Sequence, residues 1–258
     1  MNKFLKVLLI SFLLVSCLLV NFKTNISYCE SYDKIDKLIL NQEKEKDLSK
    51  RIKYLDYILN EVDTYKSRST IMEKSINLDC LKITQTRIIK TYFEKQLKIC
   101  KSYENDLINE IESERLEALK ESNLSYIKGF WPLKDYTYIS SSYGYRIHPI
   151  SKQLSFHTGI DIPAPKNTDV LSSDDGIVVY ANYQRGYGNV VKIKHFDSKV
   201  TVYAHNNIIL VEEGDIVKKG QVISKVGSTG NSTGNHLHFD VILDNRRINP
   251  INAVTKDI

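Results

Sequence analysis

The sequence predicts an α+β protein, in which an N-terminal α-helical coiled-coil or hairpin region is followed by an all-β, mainly antiparallel domain. Glycine and proline divide the chain, because all 11 glycines and all 5 prolines lie at or after Gly129. Both residue types interrupt helices, so their absence from residues 1–128 favours long helices. From Gly129 onward, short runs rich in β-branched residues and tyrosine alternate with turn residues, which is typical of strands.

Residues 1–28 are predicted to be a signal peptide or an N-terminal membrane anchor. Two lysines precede the apolar run Val7–Val20, which has the length of a signal-peptide core and is short for a membrane span of about 20 residues. Three fates are open: an uncleaved anchor, lipidation at Cys17, or secretion after cleavage near residue 29. Each predicts export to the extracellular face of the membrane or the cell wall, with membrane contact only through this segment.

Residues 29–128 are predicted to form a helical coiled-coil region. Five apolar residues follow one another in steps of four and three, the spacing of a coiled-coil seam: Leu48, Ile52, Leu55, Leu59 and Val62. The polar segment Lys66–Thr70 is the best candidate for a turn, so we predict an antiparallel helical hairpin, with self-association as the alternative. Its predicted role is a charged stalk, a spacer, a surface for an envelope protein partner, or a cover over a catalytic groove.

Residues 129–258 are predicted to form one β domain, since about 130 residues are enough for a packed core. Five runs are the predicted strands: Ile177–Tyr180, Val190–Lys194, Val200–Ala204, Val222–Val226 and Leu237–Leu243.

Two clusters of possible metal ligands lie in this domain. His157 and Asp161 are four residues apart and can converge, with Gly159 between them to permit a bend. His236 and His238 point to the same side of a strand. Catalytic zinc takes three protein ligands and leaves one position to water, so these residue types predict an open zinc site and a hydrolase.

His205, at the end of a predicted strand, adds a fourth candidate histidine to a site with three ligand positions. An imidazole that is not a ligand suits proton transfer or stabilisation of an oxyanion beside the bound water, because its ordinary pKa is about 6.5.

The motifs that contain these residues resemble those of the lysostaphin-type (LytM-domain) zinc metallopeptidases. The resemblance covers roughly residues 129–258 and rests on His157-x-x-x-Asp161, Tyr203-Ala-His205 and His236-Leu-His238-Phe, with supporting matches in Ser142–Arg146, Gly214–Gln221, Gly227–Gly230 and Ile248–Pro250. It implies that His157, Asp161 and His238 bind one Zn²⁺ and that His205 and His236 are the catalytic pair.

The resemblance also implies the reaction, which is hydrolysis of cross-bridge or stem peptides in bacterial peptidoglycan. The competing function is a non-catalytic LytM-domain scaffold, or a module that binds the wall or an envelope partner, for example in a sporulation-type transmembrane channel complex. One position departs from the family pattern, because this chain has Asp240 where the family usually has glutamate. That position is not a metal ligand in the family pattern.

Charge and cysteine content exclude other classes. The net charge of +5, from 36 basic and 31 acidic residues, is dispersed and gives no concentrated basic stripe, so no nucleic-acid partner is expected. The four cysteines lack the spacing of a thiolate zinc site, and free buried thiols are expected in the helices.

Further residues of the β domain carry weaker expectations. His195 is expected on a solvated strand, and His148 is either in the groove or in a loop. The tyrosine candidates for lining the groove are Tyr145, Tyr183, Tyr187 and Tyr203.

Overall fold

The computed structural model describes residues 34–68, 76–122, 126–147 and 152–255. The helices are α1 (Lys34–Arg68), α2 (Ile76–Ser122) and α3 (Pro250–Ala253). The strands are β1 (Gly129–Phe130), β2 (Gly144–Ile147), β3 (Leu154–His157), β4 (Ile160–Pro163), β5 (Asp169–Leu171), β6 (Gly176–Gln184), β7 (Gly188–His195), β8 (Val200–Asn206), β9 (Ile208–Ile209), β10 (Ile216–Val217), β11 (Val222–Lys225), β12 (His236–Leu243), β13 (Arg246–Ile248) and β14 (Val254–Thr255).

These elements confirm the predicted α+β class, with helices first and a mainly antiparallel β domain after them. The predicted signal peptide or anchor and His148 lie outside the described residues. Within the described ranges, no helix is both long enough and apolar enough to cross a membrane.

Helices α1 and α2 pack as an antiparallel pair, the arrangement that the predicted hairpin requires. Helix α1 continues to Arg68, into the predicted turn, and residues 69–75 lie outside the described ones. Nδ2 of Asn41 donates a hydrogen bond of 2.9 Å to the carbonyl of Cys100, and Nζ of Lys90 lies 2.6 Å from Oδ1 of Asp56. Buried residues recur every seven positions on each helix: Leu48, Leu55 and Val62 on α1, and Phe93, Cys100 and Leu107 on α2. The thiol of Cys100 is free and buried, as expected, while supercoiling of the pair stays a prediction.

The main sheet has the strand order β10-β6-β7-β8-β12-β13, with β4 also paired to β12, and its ladders are antiparallel. The remaining strands form a β5-β11-β9 sheet, a β2-β3 hairpin and a parallel β1-β14 pair. The five predicted strands correspond to β6, β7, β8, β11 and β12. The other nine described strands have two to four residues, too few for a hydrophobic period to appear in sequence.

The two faces of the main sheet differ in chemistry at the β8-β12 ladder. The partners Tyr203 and Phe239 face the hydrophobic core, whereas the next partners, Ala204 and His238, face the opposite side. Burial of a side chain such as Phe239 contributes about 2–3 kcal/mol. The strands that carry the polar face, with His238, are therefore fixed by the hydrophobic core on their other face.

Helix α1 contacts the β domain at β10, the opposite end of the main sheet from β12 and β13. The side-chain amide of Gln42 donates to the carbonyl of Gly214 at 2.6 Å and accepts from the amide of Ile216 at 3.2 Å. Beside it, Nζ of Lys46 lies 2.7 Å from Oδ1 of Asp215.

A buried ion pair fixes the segment that leads into β1. Nζ of Lys199 lies 2.9 Å from Oδ2 of Asp197 and donates to the carbonyl of Ile127 at 2.6 Å, and the amide of Ile127 donates to the same Oδ2 at 3.0 Å. Lys199 and Asp197 are both buried, so each charge depends on the other for its stabilisation.

The expectation of a solvated His195 is wrong. His195 is 1% exposed, its Nδ1 lies 3.0 Å from the carbonyl of Asp175, and its Nε2 lies 2.7 Å from Oγ1 of Thr201. His195 follows Ile193 on the inner face of β7. The polar residues Lys192 and Lys194 lie on the outer face, because neighbouring residues of a strand face opposite sides, and they gave this stretch of sequence its polar character.

Candidate metal centre and catalytic site

Three side chains from separate strands meet on the polar face of the sheet. Asp161 on β4 and His238 on β12 are direct cross-strand partners, and His157 closes β3 beside them. Oδ1 of Asp161 lies 2.9 Å from Nδ1 of His238 and 3.2 Å from Nε2 of His157, and these two ring nitrogens are 3.1 Å apart. The three residues are buried and form a group that could hold a metal ion.

The second nitrogen of each ring in this group already has a neighbour. Nδ1 of His157 donates to the carbonyl of Ser142 at 2.9 Å, which leaves the lone pair of Nε2 for the group. Nε2 of His238 is buried 2.9 Å from Oδ1 of Asp240, although the alignment is too bent for a regular hydrogen bond. Ring nitrogens oriented in this way by outer partners are typical of metal-binding histidines, so the donor set fits a divalent metal.

The charges of the group also suit a cation. Burial alone would raise the pKa of Asp161, but contacts with His157 and His238 hold that pKa well below its ordinary value. Burial alone would lower the pKa of His238, but Asp161 and Asp240 outweigh it and raise the pKa to about 9. Both carboxylates thus favour positive charge at His238, which a bound divalent metal would supply instead.

His205 reaches the same site through an irregularity in β8. Two ladder pairs, Asn189 with Asn206 and Val191 with Tyr203, enclose one residue on β7 but two on β8. The extra residue is a β-bulge, a feature that re-aims side chains near active sites. His205 has φ 63° within it, in the left-handed region, and so leaves the core face that simple alternation from Tyr203 would give it.

His205 and His236 stand together beside the metal-binding group. Their ring centroids are 4.8 Å apart, and that of His205 is 5.7 Å from His238. Nδ1 of His205 donates to the carbonyl of Thr229 at 2.8 Å, and Nδ1 of His236 donates to that of Gly234 at 2.8 Å. Nε2 is therefore the nitrogen of each ring that is left to react.

The electrostatic setting of His205 favours its neutral form. Burial, reinforced by the ring of His236, lowers the pKa of His205 to about 4. Nε2 of His236 lies 3.6 Å from Oδ1 of Asp161, close enough for a group on the metal to contact both rings.

A cavity of about 580 Å³ opens over these five residues. Its further lining includes Arg146, Arg185, Tyr187, Asn231 and Ser232. The described part of the helical hairpin contributes none of the lining residues.

Of the four tyrosine candidates for the groove, only Tyr187 lines the cavity among the described residues. Tyr203 is 0% exposed in the hydrophobic core, which corrects its expected position, because residues next to one another on a strand face opposite sides. Tyr145 and Tyr183 are exposed at the surface.

Sequence reasoning missed several residues of the site. Ser142 orients His157 through its backbone carbonyl, a role that does not depend on the residue type and so leaves no signal in the sequence. Nη2 of Arg146 lies 3.4 Å from Oδ2 of Asp161, and Thr158 donates to Asp240 at 3.0 Å. One signal was present, because Asp240 lies two positions after His238 and so shares its face of β12.

Comparison with known proteins places this site in a family. Residues 155–250 match Peptidase family M23, a range that contains all five site residues. The chain is 45% identical over 118 residues to the DD-carboxypeptidase/endopeptidase Mpg of Neisseria meningitidis, which is 46% of this chain and 27% of that protein.

Of two other relatives, one is named as an endopeptidase and the other as an activator of hydrolases. The peptidoglycan DD-endopeptidase ShyC of Vibrio cholerae is 37% identical over 117 residues, which is 45% of this chain and 27% of that protein. The murein hydrolase activator NlpD of Escherichia coli is 46% identical over 94 residues, or 36% of this chain and 24% of that protein. The chain thus spans about a quarter of the length of each of these three relatives.

Proposed function

Residues 155–250 of this chain are a Peptidase family M23 domain, and from this premise we propose that the protein is a zinc-dependent endopeptidase acting on bacterial peptidoglycan. One observation carries the proposal, which is the convergence of His157, Asp161 and His238 with two further imidazoles beside them. The three converging residues would hold one Zn²⁺ per chain. His205 and His236 would be the catalytic pair.

Zinc bound there would polarise the carbonyl of the scissile peptide bond and lower the pKa of the attacking water. The two remaining histidines would handle the protons. Because Nδ1 of His205 and of His236 is committed to a carbonyl, Nε2 accepts the proton of the water. The resulting N–H then donates to the oxyanion or to the leaving amine.

The substrate class is supported by the names of the relatives and by the open cavity. A cavity of about 580 Å³ lined by serine, asparagine and arginine side chains can accept an extended polar peptide. We propose a cross-bridge or stem peptide as the substrate. An exported protein in the envelope, with the helical region as the surface for an envelope partner, is consistent with this activity.

A second candidate function is a scaffold or activator that binds the wall or a partner without cutting it. The specific observation in its favour is the 46% identity to a murein hydrolase activator. A retained metal-binding group does not decide between the two functions, because a protein can hold zinc for structural reasons.

The discriminating experiment uses the full chain loaded with zinc and incubated with purified peptidoglycan. We expect about one zinc per chain and the release of new amino termini. His236→Ala should abolish release while zinc stays bound, His238→Ala should lose both, and Asp244→Asn, an exposed change in the β12-β13 turn, should alter neither. Zinc-bound protein that cleaves no type of peptidoglycan would refute the endopeptidase and support the activator.

A further inference from the structure

Asp240 occupies a pocket that contacts both oxygens of its carboxylate. The side chain is 0% exposed. Tyr187 donates to Oδ2 at 2.8 Å and Nε of Arg247 lies 3.4 Å from the same oxygen, while Thr158 donates to Oδ1 at 3.0 Å. A buried carboxylate with this many donors is held in one orientation, because any rotation would leave donors unpaired.

The donors are themselves fixed. Nη2 of Arg247 donates to the hydroxyl of Tyr187 at 3.1 Å, and the hydroxyl of Tyr143 donates to the carbonyl of Arg247 at 2.8 Å. The ring of Tyr187 also packs against that of His238, with centroids 5.5 Å apart. The clamp formed by Thr158, Tyr187 and Arg247 therefore links the β3-β4 turn, the β6-β7 turn and β13 around one carboxylate.

The fixed carboxylate has a direct consequence for His238. Nε2 of His238 lies 2.9 Å from Oδ1 of Asp240, and Nδ1 lies 2.9 Å from Oδ1 of Asp161, so a carboxylate faces each nitrogen of the ring. A metal in the group would take the lone pair of Nδ1, which faces Asp161 and His157, and the one proton of the neutral ring would then be on Nε2, against Asp240. Asp240 would thus stabilise the tautomer of His238 in which Nδ1 is the ligand.

Resting on the metal site proposed above, we infer that Asp240, held by Thr158, Tyr187 and Arg247, is a positioning residue that sets the Nδ1-ligand tautomer of His238 and thereby the metal affinity. The aspartate takes the place where glutamate is usual in the resemblance noted from sequence.

The test measures Zn²⁺ affinity of the full chain by competition with a chelator. Loss of outer partners of metal-bound histidines typically weakens binding about 10- to 100-fold, and we expect a loss in this range for Asp240→Asn. Tyr187→Phe removes one donor and keeps the carboxylate, so its loss should be several-fold smaller. Asp244→Asn is the matched control and should bind zinc like the wild type.

A spectroscopic readout separates positioning from general damage. In the zinc-loaded wild type, the Nε2 proton of His238 should give a downfield, slowly exchanging NMR resonance, and this resonance should move upfield or vanish in Asp240→Asn. If Asp240→Asn fails to fold, Tyr187→Phe and Asp240→Glu carry the test. Glutamate keeps the anion and should bind zinc more tightly than asparagine does.

The outcomes distinguish this inference from the function on which it rests. A wild-type chain that binds no zinc refutes the proposed metal site. A wild-type chain that binds zinc, with Asp240→Asn binding equally tightly or with the Nε2 resonance unchanged, refutes the positioning role alone.

Discussion

Gly159 offers the sharpest test of how the site is built, through the substitution Gly159→Ala. The chain bends at this glycine, as the sequence predicts, but its φ is not left-handed. Glycine is required here by the lack of space for a side chain rather than by the backbone conformation. A Cβ at position 159 would lie 2.2 Å from the carbonyl oxygen of Phe239 and 2.3 Å from Oδ1 of Asp240.

The size of the effect follows from these distances. Ordinary carbon–oxygen contacts begin near 3.4 Å, so β4 and β12 would have to separate by about 1 Å. The carbonyl of Phe239 belongs to the β12 backbone, which is paired to β4 and β8 and has little room to move. Overpacking costs about 1–3 kcal/mol, and we expect the upper end, about 3 kcal/mol, because the obstacle is backbone. The same separation should weaken zinc binding, since it pulls Asp161 away from His238.

Urea denaturation followed by tryptophan fluorescence measures this loss. The chain has one tryptophan, Trp131, which is 1% exposed in the core of the β domain and so reports on that domain. The control is Gly234→Ala, a position where a Cβ would meet no atom within 4 Å, and its effect on the free energy of unfolding should be below about 1 kcal/mol. A Gly159→Ala variant that is as stable as this control would refute the close-approach explanation.

Three further predictions concern the buried polar groups behind the site and the surface contact of the hairpin. Burial, with the charge of Lys199, lowers the pKa of His195 to about 4, so the unfolded chain binds the extra proton. The contribution of His195 to the free energy of unfolding should therefore fall by about 3 kcal/mol between pH 6.5 and pH 4, and His195→Gln should remove this part of the pH dependence. Lys199→Met should cost about 3–5 kcal/mol in urea denaturation because it leaves Asp197 buried without its cation, and a loss under 1 kcal/mol would contradict that ion pair's role. Lys46→Ala should change stability by less than about 1 kcal/mol in the same assay, since Lys46 in its pair with Asp215 is 56% exposed, and a larger loss would mean that this contact is stronger than its exposure suggests.

The predictability of the fold depended on the length of each pattern. The seven-residue recurrence from Leu48 to Val62 and the absence of glycine and proline are long signals, and the two long helices α1 and α2 agree with them. The strands of the main sheet with seven or more residues were also predicted. Two-residue strands such as β10 and β14 exist only because a partner strand pairs with them, and no local sequence determines that pairing.

The sequence by itself determined the residue types of the site and their alternation along strands. His236 and His238 share a face because the side-chain period of a strand is two, and Asp240 follows on that face for the same reason. The resemblance in sequence carried His157, Asp161 and His205 into the same site, and the structure brings the five residues together.

Only the tertiary structure decided how these residues are aimed. The bulge at His205 depends on the register between β7 and β8, and the orientation of His157 depends on a carbonyl fifteen residues earlier in the chain. The clamp on Asp240 joins side chains from three separate elements. The physical reason is that the two-residue period of a strand fixes only which face of the sheet a side chain is on. The tautomer and the direction of an imidazole are set by hydrogen-bond partners from distant parts of the chain, which folding brings within about 3 Å.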